Sequence, residues 1–152
     1  MINGHTSSGS PYEAAIGFSR AIRVGDRILV SGTAPVEPDG SSTPGDAEAQ
    51  AERCFAIIVA AIEQLGGGAE DVVRTRMYLT DPADGDAVGR AHGRWFADVR
   101  PAAALVVVAA LLRPNGGWRS RWRRWSPELV RLILPARACL AGALPVYLAD
   151  IQ

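Results

Sequence analysis

The apolar run at residues 102–112, rich in valine, constrains the fold more than any other segment of this sequence. A continuous apolar run of this length, without polar alternation, is typical of a β-strand that is buried on both faces. Such a strand needs a neighbour on each side. A chain of 152 residues is long enough to form one domain with a core of its own, so we expect those neighbours within this chain or in another subunit.

Three more strand patterns precede this run. Residues 18–24 and 27–31 read as strands joined by Gly25-Asp26, a two-residue hairpin signal. Residues 72–80 alternate, so that one face is apolar and the other carries Arg74, Arg76 and Tyr78. Residues 1–10 are polar and rich in Gly and Ser, which predicts a flexible start.

Two helices lie between the strands. The first is predicted to be capped by Thr43 and to end at the glycines after Leu65, with Cys54 buried on its apolar face. Asp81-Pro82 opens the second, whose apolar stripe holds Val88, Ala91, His92, Trp95 and Phe96. The order predicts an α+β fold, with two helices on one face of a mixed sheet. Only four strands are present, so a fifth strand in the tail or another subunit must flank the apolar run.

Several short segments carry a resemblance to a known family. They are Ala-Ile-Gly-Phe-Ser-Arg-Ala at 15–21, residues 24–35, the helix containing Gln50, Tyr-Leu-Thr-Asp at 78–81, and Arg-Pro-Ala at 100–102. In this order and spacing, over residues 10–112, the chain resembles the RidA/YjgF family. The resemblance implies a chorismate-mutase-like fold, a homotrimer with ligand clefts between subunits, and no cofactor. It also implies hydrolysis of reactive enamine and imine intermediates to 2-oxo acids and ammonia. Some members have been described as ribonucleases or translation inhibitors.

The resemblance places six residues in the ligand cleft: Phe18, Ser31, Gly32, Gly89, His92 and Ala103. The hydroxyl of Ser31 and the backbone N–H of Gly32 suit a carboxylate or carbonyl oxygen. Phe18 keeps the ring of the family's tyrosine without its hydroxyl. Ala103 stands where the family has the arginine that binds the substrate carboxylate in a bidentate pair. Two functions therefore stay open, deamination of the same or an altered substrate and non-catalytic binding of a small ligand, and no catalytic residue is assigned.

Other polar side chains have two interpretations each. Arg100 precedes Ala103 by three residues, about 10 Å along a strand, so it could replace the missing arginine only if the loop folded back. Otherwise it is a solvated loop charge. Arg74 and Arg76 could bind an anion or could cover the polar side of a sheet. His92 could be a packed helix residue or a base. The two His and two Cys are separated in sequence and predict no metal site.

Charge divides the chain near residue 112. Residues 1–112 hold nine Arg and fourteen Asp plus Glu, a net charge of −5, whereas residues 113–152 hold seven Arg and two acids, a net charge of +5. The second part also contains three of the four Trp, interleaved with Arg at 118–125. We therefore divide the chain into a RidA-like domain at 1–112 and an atypical Arg/Trp-rich tail at 113–152.

The tail can be read as out-of-frame translation. Tryptophan has the single codon TGG. With GC-rich codons for Arg and Ser, residues 118–125 read one base earlier give Ala-Val-Glu-Val-Glu-Ala. The family's last strand is of this type and carries its proton-handling glutamate. Our hypothesis is a frameshift between Leu112 and Trp118, so that the last family strand is missing and the product is poorly soluble or fails to form the trimer. The alternatives are RNA binding through the Trp/Arg block and an amphipathic surface helix.

Location and partners follow from simpler patterns. The N-terminus has no signal-peptide pattern, so we expect a cytoplasmic protein. The apolar stretch at 129–148 is interrupted by charged residues and prolines, which argues against a membrane span. A net charge of zero gives no reason to expect nucleic acid as a partner. The expected partners are other copies of the chain and a small imine, enamine or carbonyl ligand.

Overall fold

The computed structural model describes residues 2–111, so the predictions for the tail lie outside the described residues. The described residues contain both antiparallel and parallel strands together with helices, which confirms the predicted α+β class. The elements are β1 (Ile2–Thr6), α1 (Pro11–Ile16), β2 (Ala21–Val24), β3 (Arg27–Val30), α2 (Ala47–Glu63), β4 (Arg74–Leu79), α3 (Gly85–Phe96) and β5 (Ala102–Val107), with 3-10 turns at Ala69–Asp71 and Pro82–Asp84.

The strands form two hydrogen-bonded groups. β1, β2 and β3 are antiparallel in that order, whereas β4 and β5 are parallel to each other. On β4 the predicted alternation is confirmed, since Thr75, Met77 and Leu79 are buried while Arg74 is exposed. The core lies between the strands and the two longer helices, where the rings of Phe55 on α2 and Phe96 on α3 pack edge to face.

The expectation of a flexible start is wrong, because residues 2–6 form β1 and pair with β2. The backbone N–H of Arg20 donates to the carbonyl of Thr6 at 2.8 Å, which ties the end of β1 to the start of β2. The signals for α1 were present in the sequence. Pro11 occupies the first turn, and Gly17 ends the helix with a φ of 83°, a left-handed conformation that glycine adopts without strain.

Helix α2 has the predicted buried face but begins later than expected. The cap is Asp46, whose carboxylate accepts from the backbone N–H of Ala49 at 3.0 Å. Thr43 cannot be the cap, since its hydroxyl donates to Glu37 and Gly45 has a φ of 113°, outside the helical range. The predicted burial of Cys54 is confirmed, and burial raises the pKa of its thiol well above the usual value.

The prediction that the apolar run is buried on both faces is wrong for the described chain. Leu105, Val106 and Val107 of β5 are 44%, 40% and 50% exposed. The cause is the position of β5 at the end of its sheet, with β4 on one side and no strand of residues 2–111 on the other.

Within residues 2–111, no helix is long and apolar enough to cross a membrane.

Candidate functional site

Ser31 and Gly32 lie where the chain leaves β3, and both are half-buried. The hydroxyl of Ser31 donates to the carbonyl of Ser19 at 2.7 Å. A hydroxyl has one donor and two lone pairs, so toward a ligand this oxygen is free to accept rather than donate. The Ser31 oxygen is therefore suited to accept a hydrogen bond from an N–H of the ligand or from a water molecule. Of the two groups predicted to bind a ligand oxygen, only the Gly32 N–H still fits that prediction.

The side chain of Arg20 contacts residues 31–33, a segment that we call the Ser31–Gly32 turn. Its Nη1 donates to the carbonyl of Gly32 at 2.5 Å and to the hydroxyl of Thr33 at 2.9 Å. Its Nε is 3.1 Å from a carboxylate oxygen of Glu13 on α1. Both charged side chains are buried, which makes this an internal ion pair at the base of the turn.

Phe18 belongs to the same group of residues. Its ring centroid is 5.3 Å from the centre of the Arg20 guanidinium, within the range of a cation–π contact. The structure thus brings together three of the six predicted ligand residues, Phe18, Ser31 and Gly32, through contacts with one arginine. Sequence reasoning gave no role to Arg20 or Glu13, since no spacing rule connects a residue of α1 with the turn after β3.

The other three predicted ligand residues form a second group. His92 on α3 shares a 2.9 Å hydrogen bond between its Nε2 and the hydroxyl of Thr75 on β4. In the parallel register of β4 and β5, Ala103 is the partner of Thr75. Gly89 lies three residues before His92 on the same helix and is exposed, with open space where a Cβ would be. A larger residue at position 89 would therefore meet no steric obstacle.

His92 is held in a largely apolar setting. Its ring centroid lies 5.8 Å from that of Phe55 and 5.0 Å from that of Phe96. Burial lowers the pKa of His92, so the neutral imidazole is favoured at neutral pH. A neutral ring bonded to Thr75 is a weak partner for an anion.

Helix α2 contacts both groups. The thiol of Cys54 lies 3.5 Å from the carbonyl of Thr33, the residue after Gly32 of the first group, while the ring of the next residue, Phe55, contacts that of His92 in the second group. The six predicted residues therefore lie in two groups, one beside the end of β3 and one on α3 and β5, and their role as ligand contacts stays a prediction.

Comparison with known proteins identifies the family. The sequence profile of the Endoribonuclease L-PSP family matches residues 9–116. The chain belongs to this family. A Streptomyces coelicolor protein, SCO2049, is 44% identical over 105 residues, which cover 69% of this chain and 78% of that protein.

Solved structures agree with the family assignment. The crystal structure of Rv2704 from Mycobacterium tuberculosis, a YjgF/YER057c/UK114 family member, is 34% identical, with a TM-score of 0.65 over 84% of this chain and 98% of that one. RidA from an Antarctic Psychrobacter is 32% identical, with a TM-score of 0.67 over 86% and 97% of the two chains. The resemblance to the RidA/YjgF family is thereby confirmed.

In this Endoribonuclease L-PSP family member, none of Arg74, Arg76 and Arg100 directs its side chain toward Ala103. Arg100 has a φ of 52°, and its Nε donates to the carbonyl of Ala97 at 3.2 Å, so its side chain is turned to the end of α3. Arg74 and Arg76 alternate with Thr75 along β4 and project from the opposite face. Among residues 2–111, no three His, Cys, Asp or Glu side chains are grouped closely enough to hold a metal ion.

Proposed function

We propose that this family member hydrolyses a reactive enamine or imine, or an altered substrate of the same chemistry, to a carbonyl product and ammonia. The observation that carries the proposal is the Ser31–Gly32 turn, which offers a hydroxyl oxygen as acceptor beside a backbone N–H. Membership of the family supports the same reaction, since deamination is what the RidA resemblance implies. The absence of a cofactor and a cytoplasmic location stay predictions.

The reaction needs few groups from the protein. An enamine takes a proton on carbon and becomes an iminium ion, and water then adds to the C=N carbon while losing a proton. The resulting carbinolamine transfers a proton to nitrogen, and the C–N bond breaks to release ammonia and the carbonyl. Ser31 Oγ is suited to accept from the iminium N–H or from the attacking water, and the Gly32 N–H is suited to hold a ligand oxygen.

We further infer that a complete cleft joins the first group of one subunit to the second group of another, in the homotrimer that the resemblance implies. The first group adjoins β3 and the second adjoins β4 and β5, and these strands belong to separate sheets among residues 2–111, which supports this arrangement. So does the exposed apolar surface of β5, which is unusual for a monomer.

If the tail supplies no strand beside β5, the chain is expected to aggregate or to stay below the trimer. Size-exclusion chromatography with light scattering measures this, and a clean, stable trimer would contradict it.

The second candidate is a non-catalytic relative that binds a small ligand. It is favoured by Ala103, whose methyl group cannot pair with a carboxylate, and by the side chains of Arg74, Arg76 and Arg100, which are directed away from it. RNA binding through the Trp/Arg block is a minor alternative, and it rests on residues outside the described range.

Ammonia release from freshly generated 2-aminoacrylate separates the two candidates. For the deaminase we expect release above the uncatalysed background, lowered about tenfold or more in Ser31→Ala. Ser41→Ala, in the loop before α2, is the control and should keep the full rate. Rates at background for the unmodified protein would reject the deaminase, and calorimetric binding of a 2-oxo acid would then support the ligand-binding alternative.

The frameshift also stays a proposal. The family match ends at residue 116, two residues before Trp118, which supports a break near that point. Sequencing the DNA across codons 112–118 tests it directly. An intact reading frame, together with peptide masses that match residues 119–152, would reject it.

A further inference from the structure

We propose that Arg20 is a positioning residue, which holds the Ser31–Gly32 turn in the orientation that the ligand requires. The inference builds on the proposed function, because it assumes that this turn binds the ligand. It rests on three kinds of contact made by a single guanidinium: an ion pair, hydrogen bonds to the turn and a ring contact with Phe18.

A buried arginine stays charged, so its surroundings must compensate the charge. The side chain of Arg20 is 6% exposed and that of Glu13 is 5% exposed. Glu13 is itself anchored, since both hydroxyls of Ser7 and Ser8 donate to its carboxylate, at 2.5 and 2.6 Å. Glu13 on α1 therefore fixes one side of the guanidinium, and the contacts with the turn are made by its other side.

The contacts with the turn orient its peptide groups. Nη1 lies 2.5 Å from the carbonyl of Gly32 and 3.4 Å from that of Ser31, so both carbonyls face Arg20. In a trans peptide the C=O and N–H bonds point in opposite directions. The N–H groups of Gly32 and Thr33, which belong to these two peptides, are therefore turned away from Arg20. Two successive N–H groups with one general direction suit a ligand oxygen.

The backbone of Arg20 supports the same role. Its N–H donates to Thr6 on β1, and its carbonyl accepts from the N–H of Ser31 at 2.9 Å. The hydroxyl of Ser31 donates to the carbonyl of the preceding residue, Ser19. The backbone N–H and the side-chain hydroxyl of Ser31 thus both donate to carbonyls of residues 19 and 20. A shift of Arg20 would therefore move the Ser31 hydroxyl and the turn together.

Lysine cannot replace arginine in this position. The guanidinium uses Nε for Glu13 and Nη1 for Gly32 and Thr33, whereas an ammonium group is a single point that cannot occupy both places. Arg23, on β2 and three residues after Arg20, offers a matched control. Its Nη1 and Nε donate to the carbonyls of Leu65 and Gly25, at 2.6 and 3.2 Å, and neither carbonyl belongs to the turn.

The test compares Arg20→Lys with Arg23→Lys in the full chain. One readout is kcat/KM per folded molecule for 2-aminoacrylate, and the other is the NMR shift and hydrogen exchange of the Gly32 and Thr33 amides. For Arg20→Lys we expect a loss of about 10- to 100-fold in kcat/KM, with displaced and faster-exchanging amides. For Arg23→Lys we expect kcat/KM within about twofold of the unmodified protein and unchanged amides.

The positioning role of Arg20 would be overturned if the two substitutions had equal effects on kcat/KM per folded molecule and left the Gly32 and Thr33 amides unmoved. If the unmodified protein shows no deamination, the proposed function fails, and the amide readout alone still decides whether Arg20 orients the turn. If Arg20→Lys does not fold, Thr33→Val removes one acceptor of Nη1 and should displace the Gly32 amide. An undisplaced amide in that variant would also count against the proposal.

Discussion

Replacing Glu13 by alanine tests how much the buried ion pair with Arg20 contributes to stability. The carboxylate accepts hydrogen bonds from Ser7, Ser8 and Arg20, and only 5% of the side chain is exposed. Removing it leaves the Arg20 charge buried without its carboxylate. Breaking a buried pair in this way costs about 3–5 kcal/mol, a large part of the 5–15 kcal/mol that is typical of a domain.

The same carboxylate gives the stability an acid dependence. Burial by itself would raise the pKa of Glu13, but the hydrogen bonds from Ser7, Ser8 and Arg20 outweigh it, so the pKa lies below the usual value of 4.5. A folded pKa below the unfolded one means that the stabilisation is complete above about pH 4.5 and is lost as the pH falls through the folded value. Glu13→Gln cannot ionise, so its stability should fall less steeply with acid.

The assay is urea unfolding followed by circular dichroism at several pH values. Glu37→Ala is the control, because Glu37 pairs with Arg53 at 3.3 Å with both side chains 30% exposed. We expect the control to lose no more than about 1 kcal/mol. The reasoning is refuted if Glu13→Ala costs no more than the control, or if Glu13→Gln keeps the full acid dependence of the unmodified protein.

Three further predictions concern single residues. In a Cys139→Ser variant, the thiol of Cys54 should not react with Ellman's reagent until the protein unfolds, because burial keeps it inaccessible and raises its pKa; fast labelling of the native protein would contradict this. The ring of His92 should titrate below pH 6.5 by NMR, since burial lowers its pKa, and stability that depends on the neutral ring should decrease as the pH falls below 6.5; a midpoint above that value would be inconsistent with the structure. Arg100 has a φ of 52°, so Arg100→Val should be less stable than Arg100→Gly by about 1–2 kcal/mol in thermal or urea unfolding, and equal stabilities would argue against the left-handed conformation.

Much of the secondary structure could be predicted because it depends on local patterns. The three-to-four spacing on α2 and the alternation on β4 report which side chains face the core, and both faces are buried as expected. The start at residues 2–6 could not be recognised, since a polar strand that pairs through its backbone leaves no hydrophobic pattern. The prediction that Thr43 caps α2 was wrong for a related reason. The hydroxyl of Thr43 donates to Glu37 and Gly45 has a positive φ, and both features depend on the geometry of the loop.

By itself, the sequence determined the α+β class, the family, the alanine at position 103 and the change in composition near residue 112. These depend on residue identity and order along the chain. The tertiary structure alone decided that Arg20 and Glu13 form a buried pair under the Ser31–Gly32 turn, that Ser31 presents its oxygen as an acceptor, and that the predicted ligand residues lie in two groups. Those facts depend on which groups meet across elements distant in sequence. Burial then sets the strength of each interaction, and no pattern along the chain reports it.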